Sequence, residues 1–394
     1  MRRWMMAGVG LLVASVAAAQ VADQEIQRFT LAYLTYYPAS AAKITERNQG
    51  VTPAGPYLAV QVERTTPFST GKDRLGMLID PGTRMAAAGL LFPMPPTQPP
   101  VTPETLPNLV TEILPQALSN YLSTRVRVPW PMTPTRPGAV LFLAADVLTG
   151  YGTMHLPLAI STDGRYVAIG GSWPLDRDPR AVRRDSLEAA YVQWDPGHEK
   201  AAVKLVEFSD FECPSCKRGW GMIKPILAEF GDGARHGMVN WPIVSAHPWA
   251  FRAAVAGECI FSLWPERLLP LKEEFYRLQE NLSVESMDPV VFGFIEENGL
   301  SKDRFLSCYL KDPAIDTVLK QMELGYRVGV FGTPTYYADG ESLPWGETDV
   351  FRKRMQAIAA AGGRPESAAE VKVTPKPSPA AGKPTPAVPL APPH

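Results

Sequence analysis

The sequence predicts two architectures in series: two tandem small α+β modules, then an α/β domain interrupted by a helical insertion. Three observations predict them. Apolar and turn residues recur at a constant offset of 81 in the first half, so that Leu75 is followed by its counterpart Leu156. A buried-strand pattern runs directly into a Cys-Pro-Ser-Cys helix start at Cys213. After Pro248 apolar residues recur every three or four positions, and then the pattern returns to strands.

The repeat is seen without a gap. Leu75, Ile79, Arg84, Ala87, Gly89 and Pro93 fall on Leu156, Ile160, Arg165, Ala168, Gly170 and Pro174, and Thr52-Pro53 falls on Thr133-Pro134. Each copy reads as a helix (Asp23–Tyr37; Pro103–Leu122), a strand (Tyr57–Glu63; Ala139–Asp146) and a hairpin turn at Pro81-Gly82 or Asp163-Gly164. The resulting domains are 20–98 and 99–180, joined through a proline-rich, extended stretch. A helical sheet unit of this size leaves strand edges exposed, so each copy should pair with its twin inside the chain or with a copy on another chain.

A charged, helix-compatible connector covers 181–200, and the second architecture occupies 201–363 with its insertion at about 246–328. Val203–Ser209 and Met238–Val244 read as strands, and Pro214–Phe230 as a helix containing Pro225. Helical spacing recurs at Phe251–Leu263, Leu268–Leu278, Pro289–Glu297 and Ile315–Val328. Thr335–Ala338 then reads as a strand and Thr348–Ala360 as a helix. From 364 to 394, nine prolines among small and polar residues read as a disordered tail, because such a composition buries no core.

The composition narrows the function classes. The chain has 394 residues, 45% hydrophobic and 20% charged, with net charge −1. A near-neutral balance without a basic patch argues against a nucleic-acid partner. Arg2 and Arg3, the apolar run Ala7–Val16 and Ala17-Ala18-Ala19 read as a signal peptide over 1–19. Cleavage before Gln20 would release the protein outside the cytoplasm, periplasmic or otherwise exported, where disulfides persist.

Chemistry is concentrated at Cys213 and Cys216. An even cysteine count in an exported chain is ordinarily two structural disulfides. Here Cys213 follows a buried strand, and Pro214 stands at the first helical position. Free backbone N–H groups and the helix dipole stabilise a thiolate there, and Cys216 lies one turn further in, placed to attack a mixed disulfide. His155, His198, His236, His247 and His394 are scattered, without the spacing of a zinc site. Redox exchange is therefore the reading; no metal and no organic cofactor are expected.

Val206–Cys216, with its Glu-Phe-Ser-Asp-Phe-Glu-Cys-Pro-Ser-Cys run, resembles the active-site entry of DsbA-like thiol–disulfide oxidoreductases. Pro242–Ala250 is similar to the opening of that family's helical insertion, and Gly329–Thr335 to its cis-proline loop. The resemblance covers about 201–363. It implies a thioredoxin-like fold, with Cys213 as nucleophile, Cys216 as resolving thiol, Pro334 as the cis-proline and Thr333 beside the substrate. It also implies that Glu207 is a buried acid near the resolving cysteine, where a proton-shuttling role competes with a plain strand residue reaching solvent. Ser215 stands where the strongest oxidases of the family carry a histidine, which argues against extreme oxidising power. Cys259 and Cys308 match a second cysteine pair of the family, read as a structural disulfide stapling two helices of the insertion; a redox relay or two free thiols are the alternatives. The segment Ser161–Gly170 resembles the arms ahead of the catalytic domain in DsbC/DsbG-type isomerases, which dimerise and hold substrate.

The resulting expectation is an oxidase-like enzyme acting on exported client proteins with cysteines, recharged by a membrane redox partner. An isomerase or reductase with chaperone-like N-terminal modules is the alternative, and a non-catalytic client-binding chaperone the second.

Overall fold

The computed structural model describes residues 21–94, 101, 105, 125–127, 138–189 and 191–362. The signal-like segment, the expected helix Pro103–Leu122, the Thr133-Pro134 repeat, most of the proline-rich stretch and the tail lie outside the described residues.

The first half begins with α1 (Asp23–Tyr33), four residues shorter at its end than the spacing suggests. Strands β1 (Ala41–Thr52), β2 (Gly55–Thr66), β3 (Ser69–Asp80) and β4 (Met85–Pro93) form one antiparallel unit. Strands β5 (Arg125–Arg127), β6 (Val140–Thr149), β7 (Gly152–Ser161) and β8 (Tyr166–Ile169) form the second, and β9 (Ser172–Pro174) pairs with β4. β1 is a strand the sequence hid. Most of its residues are exposed, so a polar edge strand lacks the apolar alternation by which strands are read.

The two units make one sheet in the order β1-β2-β3-β4-β8-β7-β6-β5. Its symmetry follows the offset seen in the sequence. β4 and β8 pair antiparallel, Leu90 opposite Ile169 and Leu91 opposite Ala168, which sets Gly89 across from its own counterpart Gly170. Both glycines have positive φ, 156° and 148°. A Cβ on Gly89 would stand 2.2 Å from the carbonyl oxygen of Ile169, and one on Gly170 2.1 Å from that of Ala88. Ile169 and Ala88 are again counterparts, so the local two-fold passes between the glycines, and neither can carry a side chain. The twin modules therefore pair within the chain.

α1 lays Ile26, Phe29 and Tyr33 onto Leu58, Val60, Val62, Leu75, Met77 and Ile79 of one sheet face. The equivalents of the last three, Leu156, Leu158 and Ile160, belong to the large core cluster shared with the C-terminal half.

The connector is more structured than expected. It contains α2 (Pro179–Ala189) and β10 (Gln193–Trp194), and β10 already belongs to the second sheet. Arg183 on α2 is fully buried. It donates from Nε to Val328 O at 2.9 Å, from Nη1 to Gly340 O at 2.8 Å and from Nη2 to Tyr33 O at 2.9 Å. Its guanidinium lies over the Tyr337 ring at 4.5 Å. One side chain thus ties α1 to two points of the following domain, Val328 and Gly340.

In that domain β11 (Val203–Ser209) is central, parallel to β12 (Ala234–Asn240) and antiparallel to β13 (Thr335–Ala338). β14 (Glu341–Leu343) completes the order β10-β12-β11-β13-β14. β12 begins four residues before the expected Met238, because Arg235 and His236 break the apolar run although the backbone is paired throughout. Helices α3 (Pro214–Phe230) and α9 (Thr348–Ala360) cover one face with Ile223, Ile226, Phe351 and Met355. The insertion comprises α4 (Ala250–Leu263), α5 (Leu268–Leu278), α6 (Val284–Glu297), α7 (Lys302–Tyr309) and α8 (Asp312–Val328). α6 starts before the expected Pro289 because Ser283 and Ser286 form a capping box. This is a thioredoxin-like arrangement with a helical insertion.

Candidate active site

β11 is buried on both faces, and it delivers the chain to the end of the sheet at Ser209. The turn that follows is built by Asp210. Its backbone carbonyl accepts from Cys213 N at 3.2 Å, and its Oδ1 accepts from Glu212 N at 2.8 Å. Cys213 is then the N-cap of α3 with Pro214 behind it, and its carbonyl accepts from Cys216 N at 3.0 Å. Gln279 Nε2 donates to Phe211 O at 2.8 Å and Cys213 O at 3.1 Å, pinning the turn from the insertion. Ser215 Oγ accepts from Arg218 at 2.8 Å.

The two sulfurs are free and unequal. Cys213 is 5% exposed and Cys216 is not exposed at all. The Cys213 thiol is lowered to about 6, chiefly by the hydrogen bond that Cys216 offers it, against its own burial. The Cys216 thiol is pushed well up, chiefly by burial and then by the neighbouring Cys213. At neutral pH the pair is therefore one thiolate, on Cys213, with a thiol donating to it.

The cis-proline loop meets this pair. The Thr333–Pro334 peptide bond is cis, and Cys213 Sγ lies 3.6 Å from Thr333 O. Behind the loop, a Cβ on Gly89 would be 2.7 Å from the Phe331 ring, so the twin-module sheet packs directly against it.

Glu207 does not reach solvent; it is completely buried. Its Oε2 accepts from Lys272 Nζ at 2.6 Å and is bonded to His236 Nε2 at 3.1 Å. His236 Nδ1 in turn meets Asp195 at 3.1 Å. Burial pushes the carboxyl up, but the Lys272 ammonium and His236 outweigh it and hold Glu207 at about 2. Lys272 also sits 4.0 Å over the Trp220 ring, and Trp220 lies against His236. The hydrogen bonds of Glu207 thus go to Lys272 and His236 rather than to a cysteine. Tyr276 and Tyr336 are both held in their neutral form, chiefly by burial, and the Glu207 carboxylate acts in the same direction.

Cys259 and Cys308 form a disulfide with Cα atoms 5.8 Å apart, joining α4 to α7. Their sulfurs are tied up in that bond and leave the active-site pair as the two free thiols. Sequence reasoning missed Lys272, Asp210 and Gln279 as parts of this machinery. Lys272 and Gln279 act across more than 60 residues of sequence, which no local pattern reveals, and Asp210 joins its local turn to Ile243 and His247.

A family model described as thioredoxin matches residues 193–357. That part of the chain, under half of its length, is similar to thioredoxin. Its start at 193 coincides with β10 and not with the expected boundary at 201. Among curated proteins, the Na(+)/H(+) antiporter NhaA of Herminiimonas arsenicoxydans is 29% identical over 147 residues, covering 37% of this chain and 22% of that protein. The chain thus spans about a fifth of the length of that relative. BdbD from Bacillus subtilis, in its oxidised form, is 19% identical with a TM-score of 0.39, covering 43% of this chain and 94% of that one. The thiol-disulfide exchange protein alpha-DsbA2 from Wolbachia pipientis is also 19% identical, TM-score 0.38, over 46% and 99%. Among the described residues no helix is long and apolar enough to cross a membrane.

Proposed function

We propose that the chain is an exported thiol–disulfide oxidoreductase whose Cys213–Cys216 disulfide passes to client proteins. The observation that carries this reading is the inequality of the two thiols at one helix start, Cys213 lowered to about 6 and Cys216 raised. In the oxidised enzyme a client thiolate attacks Cys213 Sγ, a client–Cys213 disulfide forms, and Cys216 leaves with the electron pair and takes a proton. A second client thiolate then attacks the client sulfur of that mixed disulfide and expels Cys213 as a thiolate. The client gains a disulfide and the enzyme ends as the dithiol. A stabilised Cys213 thiolate is a good leaving group and favours the reduced enzyme, which makes its disulfide oxidising. Thr333 O beside Cys213 offers an acceptor for an extended client backbone.

The membrane redox partner that would recharge the dithiol, and the periplasmic setting, belong to the same proposal. The paired modules favour a second reading as isomerase or reductase with a client-holding arm. Their sheet packs on the cis-proline loop through Phe331. Equilibrating the protein with glutathione and quantifying the Cys213–Cys216 disulfide decides between them. An oxidising pair that also oxidises a reduced, unfolded client supports the first. A pair more reducing than glutathione supports a reductase, and a pair that reshuffles the disulfides of a scrambled client without net oxidation supports an isomerase. A pair that never exchanges would leave client binding alone, as in a chaperone.

A further inference from the structure

Two carboxylates stand within three residues of the nucleophile, and one is buried. Asp210 is 2% exposed, and its charge opposes the thiolate on Cys213. A buried carboxylate behind a thiolate is an unfavourable pairing unless a cation compensates it. The compensation comes from the first turn of the insertion. Asp210 Oδ2 accepts from Ile243 N at 2.8 Å and is bonded to His247 Nδ1 at 2.6 Å. The His247 side chain is 16% exposed and the Asp210 side chain not at all, so solvent screens the pair little. Glu212, the other carboxylate, is turned away into a separate anchor, its Oε2 accepting from Trp249 N at 2.7 Å. The groups that face His247 are Asp210, Glu212 and Cys213, all three of which favour its protonated form.

We propose that His247 is a positioning residue for the Cys213 thiolate: as an imidazolium it neutralises Asp210, leaving the helix start free to hold the sulfur's charge. The Asp210 carboxylate is needed to build the active-site turn through Glu212 N and Ile243 N. His247 lets the turn keep that carboxylate without raising the nucleophile. No bond is made or broken in this role; only a proton on His247 is at stake. It rests on Cys213 being the nucleophile, yet it is read out on the thiolate itself, so it can fail while disulfide exchange stands.

The test begins with the unaltered protein. The His247 ring resonances are titrated by NMR in the oxidised and the reduced form. Coupling between two sites is reciprocal, so His247 should hold its proton to higher pH when Cys213 is a thiolate than when it is locked in the disulfide. The expected difference is about one pH unit, a tenfold change in proton affinity, as for a nearby opposite charge. In His247→Gln the Cys213 thiolate absorbance should titrate about one unit higher than in the unaltered protein, and His247→Lys should bring it back down. Identical His247 titrations in the two redox forms would overturn the proposal, whether or not the Gln variant folds. So would a Cys213 titration unmoved in a folded His247→Gln protein.

Discussion

The chain holds two cysteine pairs in opposite surroundings. Cys259 and Cys308 are bonded across 49 residues, and both sit in or against the large apolar core. Cys213 and Cys216 are three residues apart and free. Around them stand Asp210, Glu212, His247, Tyr276 and the Glu207–Lys272–His236 cluster. The first pair lies in apolar surroundings, Cys259 fully buried and Cys308 partly so. The second environment splits its sulfurs into a thiolate and a buried thiol, and that division is what exchange chemistry needs. The fold closes the first pair into a disulfide, whereas it sets the sulfurs of the second apart in acidity.

The largest way to break this comparison is to remove the nucleophile. Cys213→Ser should reduce client oxidation to background, whereas Cys216→Ser should trap a mixed disulfide on Cys213 that persists on a non-reducing gel. Trapping through Cys213→Ser instead would reverse the roles assigned to the two sulfurs.

Next comes the charge behind the active-site pair. Lys272→Met leaves Glu207 buried without its ammonium, and breaking such a pair costs about 3–5 kcal/mol in urea unfolding. The same cluster sets an acid limit. Glu207 is held at about 2 against an ordinary 4.5, so its contribution to stability is present above pH 4.5 and drains away as pH falls toward 2. In Glu207→Gln that portion of the acid dependence should be missing.

Replacing Cys259 and Cys308 together by Ala should cost about 2–5 kcal/mol. Below the lowered melting temperature, the variant should retain the same Cys213 alkylation profile. A shifted profile would make the staple part of the redox system and dissolve the contrast.

The smallest effect is expected at Glu212, which burial raises to about 7 from 4.5. A carboxyl raised in this way binds its proton more tightly when folded, so stability should fall as pH rises from 4.5 through 7. Glu212→Gln keeps an acceptor for Trp249 N. The difference in melting temperature between pH 5 and pH 8 should therefore narrow, by an amount limited by the partial exposure of the group.

What was legible in the sequence follows the range of the interactions. Cys213, Cys216, the helix start at Pro214 and the Thr333-Pro334 turn are local, and their pattern can be read within ten residues. The 81-residue offset was legible as well, because Gly89 and Gly170 admit no substitute at the two-fold. The identity of Glu207 was visible but its state was not. Lys272 lies 65 residues away and His236 29, and only folding brings them to one oxygen. Asp210 and His247 were hidden in the same way, and β1 was hidden because its exposed residues carry no apolar period.

The duplicated sheet has one consequence for how the molecule can be cut. Leu75, Met77 and Ile79 are covered by α1, while their counterparts Leu156, Leu158 and Ile160 lie on β7, along which α8 runs. Leu319 of α8 sits against Gly152, and Glu323 accepts from His155 N at 2.6 Å. Equivalent surfaces thus serve different ends: one seats a helix of its own module, the other seats the catalytic domain. Arg74, the counterpart of His155, pairs instead through its side chain with Glu63 on the neighbouring strand, 3.1 Å away. The thioredoxin domain is therefore not a detachable cassette. Excised at residue 193 it would lose the seat of α8 and the grip of Arg183 at once, whereas a cut that keeps the second module and α2 would preserve much of both.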